Sequence, residues 1–101
     1  MIGVELDRDA LAAFCRRHHV KRLSLFGSVL RDDFGPLSDV DALVDFEEGH
    51  LPTLFEMVRM ERELSEEVFA GRTVDLRTKE DLSRYFRDEV VAQAEPVYGA
   101  G

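Results

Sequence analysis

Between Val40 and Phe46 the chain alternates. Val40, Ala42, Val44 and Phe46 fall on one face of an extended segment, while Asp39, Asp41, Leu43 and Asp45 fall on the other. The pattern predicts a strand with one face packed against helices and the other left largely carboxylate. A second strand is predicted at Val20–Phe26, with Leu23 and Leu25 on one side and Ser24 and Phe26 on the other. A third is expected over residues 72–76, pointing Val74 and Leu76 one way and Thr73 and Asp75 the other.

Helical spacing surrounds these strands. Residues 7–18 place Ala10, Leu11 and Phe14 on one face, with Asp7 as N-cap and Arg16 and Arg17 near the C-terminal end. Residues 53–70 carry a stripe of Leu54, Met57, Val58, Leu64 and Val68 that Glu61 interrupts, and Gly71 follows as a natural stop. A last helix is expected over residues 80–94, ended by Pro96, with Val97 and Tyr98 docking ahead of a short tail. Gly27-Ser28 breaks the Val20–Phe26 strand, residues 29–33 read as one helical turn, and residues 34–38 as a loop around Gly35-Pro36. The fold class expected is α/β (α+β): one domain over residues 1–101, a small mixed sheet of three or more strands with helices on one face.

The strand aspartates are the candidate chemistry. Asp39 and Asp41, two apart on a strand, point the same way, ~6–7 Å apart at their bases. Unrelieved, two such carboxylates repel, and a hard divalent cation such as Mg²⁺ removes the conflict. Asp75 on a neighbouring strand would add a third carboxylate on the same side. Upstream, Gly27 permits close backbone approach, Ser28 adds a hydroxyl at a strand end, and Arg31 could meet a phosphate with its fork of donors. Together these residues fit phosphoryl or nucleotidyl transfer. Blander readings exist for each. The chain has ten aspartates, so a chance Asp-x-Asp is expected, and Asp7-Arg8-Asp9 is read as helix capping. Arg31 taken alone fits a surface ion pair, and Cys15 fits core packing.

Composition narrows the choice. The formal charge of −8 argues against general nucleic-acid binding, which needs basic surface, and is compatible with a basic protein partner. No apolar run approaches the ~20 residues of a membrane span, and the first residues lack a secretion-signal pattern, so a cytoplasmic protein is expected. One cysteine makes neither a disulfide framework nor a cysteine zinc site. His18-His19 do not share a helix face and have no third ligand nearby in sequence, so no metal is expected there.

Leu25-Phe26-Gly27-Ser28, ten residues, then Asp39-Val40-Asp41 resembles the Gly-Ser-x10-Asp-x-Asp signature of the DNA polymerase beta-like nucleotidyltransferases. Arg31, the 36–41 segment ending Ser38-Asp39-Val40-Asp41, Val74-Asp75-Leu76, and the stretch from Leu82 to Tyr98 extend the likeness across the chain, most closely to the minimal nucleotidyltransferases that consist of the catalytic core alone. The resemblance implies that Asp39 and Asp41 bind Mg²⁺ and catalyse, that Asp75 completes the site, and that Gly27-Ser28 holds the triphosphate of ATP. It implies an antitoxin that transfers AMP to a tyrosine of a HEPN-domain RNase toxin, in a hetero-oligomer whose acceptor surface comes from the partner. Two alternatives stand beside it: an antitoxin that neutralises by binding alone, and a small-molecule nucleotidyltransferase like the aminoglycoside-modifying relatives.

Overall fold

The computed structural model describes residues 4–31, 34–35 and 38–99. Among these, four strands form one mixed sheet: β1 (Val20–Phe26), β2 (Val40–Phe46), β3 (Val74–Arg77) and β4 (Glu95–Tyr98), in the order β3-β2-β1-β4. β1 pairs antiparallel with β2 and β4, and β3 lies parallel to β2. Three α-helices accompany the sheet: α1 (Arg8–Arg17), α2 (Leu54–Glu63) and α3 (Arg87–Gln93).

The alternation expected of β2 is observed. Val40, Ala42 and Val44 are buried, whereas Asp39 and Asp45 are exposed and Asp41 half-buried. In β1 a bulge between Val20 and Arg22 resets the period, so that Val20 buries on the same side as Leu23 and Leu25. Against this face pack Leu11, Phe14 and Cys15 of α1, Met60 of α2, and Leu64, Val68 and Phe69 beyond it. Burial pushes the Cys15 thiol up to about 12, only partly offset by Arg16, so the thiol packs as an apolar group. Asp7 caps α1 as expected, its Oδ1 accepting from Ala10 N at 3.0 Å.

α1 and α2 are joined by charge. Glu63 accepts from Arg17 Nη2 at 2.7 Å and lies 3.2 Å from His18 Nε2. Burial raises its carboxyl, but these two partners outweigh burial and hold it below the usual carboxylate range.

Four expectations are corrected. The α2 stripe is rotated: Met57 is half-buried and Met60, Leu64 and Val68 are buried, but Leu54 is 78% and Val58 52% exposed. Beyond Glu63 the helix widens into a π-turn over Leu64–Val68, with Phe69 N donating to Leu64 O at 2.9 Å, which shifts the phase of the buried positions. Glu61, the expected interruption, reaches from α2 to accept from Leu76 N at 2.7 Å. It thereby covers an N–H of edge strand β3.

The single helix expected over residues 80–94 is broken. A short 3-10 turn (Lys79–Asp81) and a bend precede α3, because the Arg87 guanidinium takes the carbonyls of Lys79 at 2.7 Å and Leu82 at 3.1 Å. Pro96 does not merely end a helix; it lies in β4, an edge strand, where its missing N–H is tolerated. The helical turn expected over residues 29–33 starts earlier, as a 3-10 turn at Gly27–Leu30. Asp33, Pro36, Leu37 and the final two residues lie outside the described residues.

Candidate active site

Three strand ends meet at one corner of the sheet. Asp39 immediately precedes β2 and Asp41 is its second residue. The parallel register sets Asp41 directly beside Asp75 and Val40 beside Val74, with Val40 N donating to Thr73 O at 2.8 Å. On the other side Asp41 faces Phe26, the last residue of β1, so the chain turns at Gly27 just where Asp41 projects. Burial of Val40 and Val74 holds the backbones in place, and the two-residue period then turns the aspartates to the face away from the core.

Gly27 has a φ of +75°. A Cβ built there would lie 2.5 Å from Asp41 Oδ2, so the carboxylate occupies the space a side chain would need. The turn that follows is pinned by the buried Val29, and Ser28 Oγ donates to the Asp39 carbonyl at 3.5 Å. Arg31 is exposed, and its backbone N–H donates to Ser28 O at 2.9 Å. The loop ahead of Asp39 is held from β3's side: Arg72 donates to Gly35 O at 2.9 Å and lies over the Phe34 ring at 4.6 Å.

The electrostatics agree with the geometry. The Asp41 carboxyl is pushed above its usual range first by burial, then by the neighbouring Asp75 and Asp39, while Arg77 and Arg31 pull the other way. Asp75 Oδ2 accepts from Arg77 Nε at 3.2 Å and Nη2 at 3.1 Å. Three crowded carboxylates with one of them half-buried form an oxygen-rich donor set, which fits a hard divalent cation. A cation there would relieve the repulsion that burial makes costly at Asp41.

The structure thus brings Asp39, Asp41 and Asp75 together around Gly27 and Ser28, and places Arg31 near enough for its charge to be felt at Asp41. Sequence reading missed Arg77. Its signal was present: Arg77 follows Asp75 by two residues and so shares its strand face.

Carboxylates on neighbouring strands beside a glycine turn, on a β-β-α-β sheet, define a nucleotidyl-transferring class of enzyme, and comparison with known proteins agrees. Residues 8–95 match the nucleotidyltransferase domain family, and the chain belongs to that family. It is therefore a nucleotidyltransferase, of the minimal kind that the sequence resembles. A Methanocaldococcus jannaschii protein provisionally named a protein adenylyltransferase is 37% identical over 78 residues, which cover 77% of this chain and 80% of that protein. Two further relatives are spanned over 63% and 64% of their length. A solved structure provisionally described as a minimal nucleotidyltransferase aligns with a TM-score of 0.70 and 36% identity, covering 88% of this chain and 87% of that one. A toxin–antitoxin crystal structure with AMP-PNP shares the fold at a TM-score of 0.72 and 19% identity, covering 92% of this chain and 73% of that one.

Proposed function

We propose that the protein is the antitoxin of a toxin–antitoxin pair, acting in the cytoplasm as one domain, and that it transfers AMP from ATP to a tyrosine of a HEPN-domain RNase toxin. The observation that carries this reading is the register pairing of Asp41 with Asp75 beside Gly27, which gathers carboxylates next to one glycine turn. Names of relatives support the reaction, since one is provisionally a protein adenylyltransferase, and the toxin–antitoxin structure with AMP-PNP supports the partner and the nucleotide. The protein's surface supports a macromolecular acceptor: Leu51, Leu54 and Phe55 are 88%, 78% and 84% exposed around the start of α2, an apolar group of the kind found at interaction surfaces.

In this mechanism Asp39, Asp41 and Asp75 would hold Mg²⁺. When bound, the ion supplies charge neutralisation for the triphosphate and for the oxygen that leaves. Gly27 lets the backbone approach the triphosphate, Ser28 orients the turn through the Asp39 carbonyl, and Arg31 attracts phosphate oxygens. Asp75, fixed by Arg77, aligns the acceptor hydroxyl and takes its proton. The tyrosine oxygen attacks the α-phosphorus in line, an O–P bond forms, the bond to the β-phosphate bridging oxygen breaks, and pyrophosphate leaves.

The test is the intact mass of the neighbouring-gene protein after incubation with this chain, ATP and Mg²⁺. One or more AMP additions, absent with Asp39→Ala/Asp41→Ala, are expected. A stable complex without mass gain would replace the reading with an antitoxin that acts by binding.

A further inference from the structure

We propose that His19, Glu47 and His50 form a second metal site, for a borderline ion such as Zn²⁺, at the end of the sheet opposite the carboxylates. His19 precedes β1 and Glu47 follows β2, so six residue steps, ~20 Å of strand, separate Glu47 from Asp41. The site rests on geometry that the sequence hides. His18 and His19 part company at the end of α1: His18 turns to Glu63, whereas His19 takes a φ of +57° and turns to the β2–α2 connection. There Gly49, with a φ of +84°, bends the chain back so that the His50 ring stacks on the His19 ring, centroids 3.8 Å apart and planes within 10°. Backbone bonds fix the framework, with Glu47 N donating to His19 O at 2.9 Å and His50 N donating to Glu47 O at 3.1 Å. The third ligand that His18-His19 lacked in sequence is thus delivered by the fold.

The three side chains offer one donor atom each, all within 4.8 Å of one another. His19 Nδ1 and Glu47 Oε1 are 3.5 Å apart. Tetrahedral bonds of ~2.0–2.1 Å put neighbouring ligand atoms ~3.3–3.4 Å apart, so this edge is already near its ligated length. Binding would unstack the two imidazoles, because an ion lies in the plane of each ring that ligates it, and all three side chains are exposed and able to rotate. Two imidazoles and one carboxylate are the ligand set of an open zinc site with its fourth position left to water. The same set disfavours Mg²⁺, which prefers oxygen ligands, so the two ends of the sheet would sort cations by ligand chemistry. Bound there, the ion joins the start of β1 to the turn that leads into α2 and its exposed Leu51, Leu54 and Phe55.

The experiment is calorimetric titration of ZnCl₂ into the tag-free, metal-free chain, with folding of every variant checked by circular dichroism. One equivalent of Zn²⁺ is expected to bind the native chain and the Asp39→Asn/Asp41→Asn variant alike. Losing even an outer-shell partner costs ~10–100-fold in metal affinity, so His50→Ala and Glu47→Gln should each weaken binding at least about tenfold. Absence of equimolar binding would overturn the site. So would equal binding by His50→Ala, or loss of binding with the aspartate variant, which would place the zinc at the carboxylates.

Discussion

The carboxylate of Asp41 lies against the α-carbon of Gly27, in the space where any other residue would carry its Cβ, 2.5 Å from Oδ2. Two constraints converge on this glycine, since its φ of +75° is also left-handed. Gly27→Ala should destabilise the fold by ~1–2 kcal/mol from the backbone alone. It should also lower AMP transfer by ~100-fold, because displacing a reacting group by an ångström costs about that much. Urea denaturation and a single-turnover assay separate the two effects.

Asp39→Ala/Asp41→Ala should reduce transfer by ~1000-fold or more, the scale of losing charge-stabilising groups at a reacting phosphate. Its circular dichroism spectrum should match that of the native chain, because neither side chain belongs to the buried core. Transfer at the native rate would remove these residues from the chemistry.

Asp41 makes a signed prediction about pH. Its carboxyl ionises less readily in the folded protein than in the unfolded one. Ionised Asp41 therefore subtracts stability at pH values above its folded value, and the deficit vanishes below the ordinary value of 3.8. In EDTA at pH 7, Asp41→Asn should melt higher than the native chain, and the gap should close as the pH falls towards 3.8. Added Mg²⁺ should raise the melting temperature of the native chain more than that of the variant.

Glu61 tests the edge of the sheet. Glu61→Leu extends the apolar stripe yet leaves the Leu76 N–H without its acceptor. A loss of ~1–3 kcal/mol is expected from the denaturation midpoint, with Glu61→Gln much closer to native. A stabilised Leu variant would show that water replaces the carboxylate without cost.

Cys15 should resist alkylation by iodoacetamide at pH 8 in the native state and react on unfolding. Its thiol is buried and pushed up to about 12, so little thiolate forms. Fast native labelling would indicate that α1 opens locally.

Much of this protein was legible along the chain. β1 and β2 have the predicted bounds because a two-residue alternation is a local property, set by which side chains must leave water. The same period put Asp39, Asp41 and Asp75 on the face away from the core before any strand was paired. Local capping was equally readable at Asp7. What tertiary structure decided was everything that needs a partner distant in sequence. The parallel register of β3 on β2 set Asp75 beside Asp41, and the order of strands made β4 an edge that could accept Pro96. Packing of α2 through Met57, Met60 and Leu64 left Leu54 and Val58 in solvent, the π-turn beyond it kept Val68 and Phe69 in the core, and Arg87 broke the last helix by taking carbonyls that a continuous helix would have used. His19 met Glu47 and His50 only through a left-handed backbone and a glycine turn. Periodicity records which face of a segment is dry; it does not record which segment lies across from it, because that depends on packing of the whole chain.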